Sequence, residues 1–254
     1  MEHITSRKNR LIVHLRTLGA DRAYRRAAGE YLCDGEKLLR EALESGAEVG
    51  DVLYAREPEL TLPDTVRQYP ASEELLEYVS PLKNSRGPLF TVRPAQPVAA
   101  PIRHAVLLES VQDPGNVGTV IRTANAFGID AVILTGDCAD PYNFKTVRAA
   151  MGALFRQRVI EAEREEAVGL LHDSGLKLYG AALSRQARDV RSVELHRAAV
   201  AVGSEGQGLS AELLHLCDGE IIIPMLPHSE SLNAAVAASV LMWEMNGGEL
   251  PCPC

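Results

Sequence analysis

The chain has 254 residues, 46% of them hydrophobic and 24% charged, an ordinary balance for a water-soluble protein of one large domain or two modest ones. No apolar run reaches the roughly 18 residues that cross a bilayer, and Met1 to Lys8 lacks the apolar core of a secretory signal; a cytoplasmic location is expected. A formal net charge of −8 argues against non-specific nucleic-acid binding by the whole surface.

Basic residues nevertheless collect at the start. Arg7, Lys8, Arg10, Arg16, Arg22, Arg25 and Arg26 stand against only Glu2 and Asp21. Such a face suits local phosphate contact; a solvated helix face is the alternative reading. Asn9 to Leu18 carries Leu11, Leu15 and Leu18 at helical spacing and stops at Gly19. A second helix, then a strand and turn over Tyr31 to Gly35, lead into a helix over Glu36 to Ser45 that Gly46 ends. Val49 to Tyr54 reads as a strand and Ser72 to Tyr78 as a capped helix. Residues 94–101 hold three prolines and no charge, the composition of a linker. The expected division is residues 1–95, a linker over 96–103 and a second domain over 104–250.

The second domain alternates strand and helix. Strands are expected at Ala105 to Glu109, Ala131 to Leu134, Leu176 to Ala181, Ala198 to Val202 and Glu220 to Ile223. Helices are expected at Val117 to Phe127, Lys145 to Ala150, Ser210 to Leu216 and Ser231 to Met245. This α/β pattern implies a mainly parallel sheet covered on both faces.

Three loops in this domain carry chemistry, each following a strand and opening a helix, where ligands of parallel sheets bind. In the first, Asp113-Pro114-Gly115-Asn116, Asn116 is read as the helix N-cap. Val117, Val120, Ile121 and Ala124 then bury one side, and Asn116, Thr119 and Arg122 form a separate row. Arg122 on that row offers planar donors to phosphate or a ribose oxygen; alone, it also reads as a surface arginine paired to an acidic neighbour. In the second loop, Gly203-Ser204-Glu205-Gly206-Gln207-Gly208, the glycines permit close backbone approach to a flat ligand. Glu205 can orient a neighbouring loop or simply cap a helix. In the third, Ile223-Pro224-Met225 leads to Ser231-Leu232-Asn233, with Ser231 as the helix cap and Asn233 in the first turn. Asn233 is polar among Ala, Val and Leu and needs a partner. Met225 can touch an aromatic ring or fill a core gap.

Taken together, the three loops resemble the SpoU (TrmH-like) branch of the SPOUT methyltransferases over residues 104–246. Asp113 to Arg122, Gly203 to Gly208, and Ile223-Pro224-Met225 with Ser231-Leu232-Asn233 match its three motifs in order, and Asp140-Pro141-Tyr142-Asn143 with Lys145 and Arg148 matches a further segment. The resemblance implies a trefoil-knotted α/β domain, a homodimer, and S-adenosylmethionine as the cofactor. It implies cofactor contacts by Gly203, Gly208, Ile223, Met225 and Leu232. Asn116, Arg122, Glu205, Ser231 and Asn233 take the catalytic and RNA-positioning roles. Residues 5–93 are similar to the family's small ribosomal-protein-like substrate-binding extension, so Arg7, Lys8, Arg10, Arg22, Arg25 and Arg26 become the candidate RNA-binding cations. The implied activity is 2′-O-methylation of a ribose in RNA, ribosomal RNA in preference to transfer RNA. Pro227, Ser229 and Ala150 depart from the family pattern and bear on the shape of the adenosine pocket.

Two rivals weaken on the residues. A nicotinamide-dependent dehydrogenase needs Gly-x-Gly-x-x-Gly after the first strand, and the loop there has only Gly115 and Gly118. A non-catalytic RNA-binding protein leaves intact Asn116, Arg122, Glu205 and Asn233 unexplained. Five cysteines are an odd number, and Cys33, Cys138 and Cys217 lack metal-ligand spacing. Cys252 and Cys254 have no further ligand pair nearby, so neither a zinc site nor any other metal is expected.

Overall fold

The computed structural model describes residues 3–95, 100–226 and 231–247. Pro227, Ser229, Cys252, Cys254 and residues 96–99 of the expected linker lie outside the described residues.

The first hundred residues form α1 (Arg10–Ala20), α2 (Arg22–Ala28), β1 (Tyr31–Asp34), α3 (Glu36–Glu44), β2 (Val49–Tyr54), β3 (Arg67–Pro70), α4 (Glu73–Val79) and β4 (Leu89–Val92). Asn9 caps α1 by accepting from the Leu11 amide at 2.8 Å, and Asp21 ends α1 and caps α2 by accepting from Tyr24 N at 2.9 Å. One carboxylate thus separates two short helices. The strands lie in the order β1-β4-β2-β3, antiparallel except for the β2/β3 pair. Ile12, Leu15 and Leu18 pack with Leu32, Leu53 and Leu76 in the core of this unit.

The remainder forms β5 (Ala105–Glu109), α5 (Pro114–Ala126), β6 (Ala131–Thr135), α6 (Phe144–Ala150), β7 (Val159–Glu161), α7 (Arg164–Asp173), β8 (Lys177–Ala181), β9 (Arg188–Asp189), β10 (Ala198–Val202), α8 (Ala211–Leu216), β11 (Gly219–Ile222) and α9 (Ala234–Asn246). All pairings in the seven-stranded sheet are parallel, in the order β7-β6-β5-β10-β8-β11-β9. Every residue of β5, β6 and β10 is buried, as expected of central strands covered on both faces. The chain runs outward from β5 to β7 on one side, then returns to the other, with β10 inserted between β5 and β8. The loops after β5 and β10 flank that switch point, where ligands of open parallel sheets collect. None of the described helices is long and apolar enough to cross a membrane.

Two expected caps are corrected. Asp113, not Asn116, caps α5: its carboxylate accepts from Asn116 N at 2.9 Å and Pro114 opens the helix. Asn233, not Ser231, caps α9, its Oδ1 accepting from Ala235 N at 3.0 Å and Val236 N at 3.2 Å. The expected buried row Val117, Val120, Ile121 and Ala124 is present on α5. Cys33 and Cys138 are buried and free, and Cys217 is half-buried and free. Burial, with Asp218, Glu109 and Glu220 nearby, pushes the Cys217 thiol up to about 12, leaving it protonated at neutral pH.

The compact units do not coincide with the division at the linker. One comprises Met1–Gln96 and Asp140–Arg156, the other Pro97–Ala139 and Gln157–Cys254. Within the first, Phe144 of α6 joins the apolar cluster of α1 and β1, and Tyr142 packs on Tyr31 with ring centroids 4.9 Å apart. Arg25 donates from Nε and Nη2 to Asp140 Oδ2 at 2.9 and 2.5 Å, and from Nη1 to the Leu18 carbonyl at 2.6 Å. Their side chains are 4% and 8% exposed. Arg25 is therefore a structural cation with no face left for RNA, a correction to the expected set.

Removing one partner of a buried ion pair leaves the other desolvated and unmatched. Asp140→Ala is expected to lower unfolding free energy by about 3–5 kcal/mol in urea titrations. Arg93→Ala, which breaks an exposed pair with Glu48, should cost at most about 1 kcal/mol. Similar costs for the two variants would refute this role for Arg25 and Asp140.

Candidate active site

The site grows from the end of β10. Gly203 is buried there, and a Cβ at this position would stand 2.1 Å from the carbonyl carbon and oxygen of Gly208. Only hydrogen fits. The loop turns back on itself through Gly208 N, which donates to the Ser204 carbonyl at 2.8 Å, with Gly208 at φ +68°. Its far end is anchored by Glu109, the last residue of β5, which is 3% exposed. Glu109 accepts from Ser210 N and Ser210 Oγ, both at 2.7 Å, and from Arg164 Nε at 3.2 Å. Glu109 supports the site although sequence analysis assigns it no role; the signal was a carboxylate closing an otherwise apolar strand.

Between this loop, the end of β8 and the approach to α9 lies a cavity of about 560 Å³, within the usual range for small-molecule sites. Gly203, Gly208, Ile223, Met225 and Leu232 all line it, as do Glu205 and Ser231. Ala234 and Ala237, small residues in the first turns of α9, also face it; periodicity alone marks them as helix formers, not as lining. A mostly apolar chamber with a backbone-lined wall and one carboxylate fits a flat heteroaromatic ligand that carries polar groups.

Asn116, Glu205 and Asn233 meet beside this cavity. Glu205 Oε1 accepts from Asn116 Nδ2 at 2.8 Å, from Asn233 Nδ2, and from the Ala234 amide at 3.4 Å. Asn233 Nδ2 also donates to Asn116 Oδ1 at 3.1 Å. The two amides and the carboxylate close a ring that ties together the helix starts of α5 and α9 and the glycine loop. Its cap assignment explains the geometry: Asp113 caps α5, so the Asn116 side chain is free to reach Glu205. Asn233 uses its oxygen to cap α9 and its nitrogen to bind the carboxylate.

Arg122 is not part of this assembly. It is exposed on α5 and does not line the cavity. Six residues beyond Asn116, a helix has advanced by about 9 Å and turned by about 240°, so the two side chains leave different faces. Of the expected phosphate-binding cations, Arg7, Lys8, Arg10 and Arg26 are exposed, Arg22 is half-buried and Arg25 is buried. Among the described residues no three His, Cys, Asp or Glu side chains cluster as metal ligands would.

Residues 103–243 match the SpoU rRNA Methylase family. The 23S rRNA (guanosine(2553)-2′-O)-methyltransferase RlmP of Bacillus subtilis is 34% identical over 249 residues, which cover 97% of this chain and 100% of that protein. Two solved structures also align along nearly the whole chain. The AdoMet-bound rRNA methyltransferase of Sinorhizobium meliloti gives a TM-score of 0.86 at 25% identity, covering 98% of this chain and 99% of that one. The SpoU methyltransferase AviRb of Streptomyces viridochromogenes, in complex with AdoMet, gives 0.82 at 28% identity, covering 94% and 98%. With the α/β fold and mainly parallel sheet in common, and the family matched over more than half its length, the chain belongs to the SpoU rRNA Methylase family.

Proposed function

We propose that the chain methylates a ribose 2′-hydroxyl of ribosomal RNA, using S-adenosylmethionine held in the cavity beside the glycine loop. The observation that carries this reading is the convergence of Gly203, Gly208, Ile223, Met225 and Leu232 on one chamber, with the carboxylate of Glu205 at the same wall. The relatives' names support the activity, and their ribosomal RNA substrate favours that class over transfer RNA. When bound, S-adenosylmethionine supplies an electrophilic methyl group on a cationic sulfur. Alignment of the acceptor is then the protein's main task. Gly203 and Gly208 would hold the cofactor through backbone groups, with Ile223, Met225 and Leu232 enclosing its apolar faces. Glu205, with one oxygen engaged by Asn116 and Asn233, keeps its other oxygen for a donor on cofactor or ribose, and Ser231 adds a hydroxyl beside it. Arg122 is proposed to steady the 2′-oxygen and an adjacent phosphate; a guanidinium offers donors and no acceptor, so it positions and is no base.

Because Arg122 lies off the cavity of its own chain, its proposed place is beside the cavity of a second copy. The exposed face of α9 supports a homodimer: Val236 and Trp243, seven residues apart on one side of the helix, are 49% and 60% exposed. Trp243 packs edge-on against Phe127 at 5.6 Å, which fixes a large apolar surface facing outward. We further propose that the chain is knotted around the cofactor, a reading supported by membership of the SpoU rRNA Methylase family. Residues 1–95, completed by residues 140–156 of the same unit, would grip RNA, with the linker over 96–103 and the rest of 104–250 as the methyltransferase part, in a cytoplasmic protein.

Calorimetry should detect S-adenosylmethionine binding to the wild type, and mapping of 2′-O-methyl positions in ribosomal RNA should show one lost in cells without the protein. Absence of both signals would sink the assignment. Gly203→Ala forces backbone apart, at a cost of at least about 1–3 kcal/mol, and should abolish cofactor binding. Arg122→Ala should keep cofactor affinity and lose methylation; normal turnover would remove Arg122 from the reaction. Trp243→Glu should shift sedimentation from dimer to monomer.

A further inference from the structure

A second charged constellation lies in the first unit. Tyr78, near the end of α4, is half-buried. The Arg16 guanidinium carbon of α1 sits 4.3 Å from the Tyr78 ring centroid, and the Arg7 guanidinium carbon 4.6 Å from it. Arg16 Nη1 also donates to the Tyr78 hydroxyl. Both arginines are exposed.

What sets the pair apart is that two guanidiniums share one aromatic ring with no counter-charge between them. Arg25, Arg67, Arg93, Arg156, Arg164 and Arg191 each pair with a carboxylate. Arg7 and Arg16 pair with no carboxylate among the described residues, although Glu74 and Glu77 lie on the same helix as Tyr78. Two like charges held on one ring, within about 9 Å of each other, repel. This occurs in a chain with 34 acidic residues and 26 Lys and Arg. Contact with the ring restrains both guanidiniums while the side chains stay exposed. Such a pair suits phosphate oxygens, which accept charge-assisted hydrogen bonds from guanidinium donors.

We infer that Arg7, Arg16 and Tyr78 form a phosphate clamp for the RNA backbone. The inference rests on the RNA methyltransferase reading and adds to it a named contact point; Arg16 belongs to the basic face read as suited to phosphate contact, and sequence analysis gives Tyr78 no role. Lys8 and Arg10, next to Arg7 in sequence and exposed, add further positive charge, which favours a polyanion over a single acidic side chain. Tyr78 acts through the arginines, as a positioning residue.

The test compares wild type with an Arg7→Ala/Arg16→Ala variant, using ribosomal RNA isolated from cells that lack the protein. The variant should keep the wild-type unfolding midpoint and S-adenosylmethionine affinity. Its KM for RNA should rise at least about tenfold with kcat unchanged. The slope of log affinity against log salt should fall by about 1 for each arginine. An unchanged KM and salt slope would overturn the clamp, and so would selective loss of binding to a polyglutamate peptide or a phosphatidylserine vesicle with RNA affinity intact. If the alanine variant misfolds, Arg7→Gln/Arg16→Gln, closer in length and polarity, is read the same way. A wild type that neither binds the cofactor nor methylates the RNA would instead indict the underlying assignment.

Discussion

Position 203 has space for a hydrogen atom and nothing larger, because the backbone of Gly208 occupies the place a side chain would take. That contact decides the course of the whole loop. With its base closed on itself and its far end tied to Glu109 through Ser210, the loop has little freedom to swing, and Glu205 is carried to the beginnings of α5 and α9. There the carboxylate gathers donors from both. The cavity wall is consequently made of fixed backbone, and its polar edge of groups already bonded to one another. A site arranged this way asks little reorganisation of the protein when a ligand enters.

Much of this was legible in the chain before its coordinates. The apolar row of α5 repeats at helical spacing and is buried as that spacing requires. The three loops were recognisable from glycine, proline and asparagine at strand ends, and all five residues expected to face the cofactor line one cavity. The cap assignments failed for a definable reason. Asp113 and Asn116 are both cap formers, as are Ser231 and Asn233, and in each case the residue type does not choose between them. Pro114, which favours the first helical position, was the clue that Asp113 precedes it. The helix α7 was also missed, although Glu163 and Glu166 form a reciprocal capping box at its start; its buried Ala167, Val168 and Leu171 make a row too short to stand out.

Arg25 illustrates what local patterns do not carry. In sequence it is one more cation in a basic run. In the fold it is buried against Asp140, a residue 115 positions away, and nothing in the neighbouring sequence signals that. The ring formed by Asn116, Glu205 and Asn233 is equally non-local. Its members are polar residues of separate segments, Asn116 in α5, Glu205 in the glycine loop and Asn233 at the cap of α9, and their meeting follows from strand order, with β5 and β10 side by side. Arg25, matched to Asp140 in the interior, stiffens the scaffold, while Arg7 and Arg16, exposed on the ring of Tyr78, are placed to meet charge from outside.

The stretch between β6 and β7 has one more implication. Residues 140–156 depart from one sheet and rejoin it, yet Phe144, Tyr142 and Asp140 complete the interior of the other unit. The polypeptide therefore passes from unit to unit three times, not once. A gene severed at its proline-rich joint would yield an amino-terminal fragment with Arg25 lacking its counter-ion and an apolar hollow where Phe144 belongs. The carboxyl-terminal fragment would display that phenylalanine to water. The amino-terminal half is thus no interchangeable cassette: recombination that grafts it onto another enzyme must carry this internal stretch along or rebuild it.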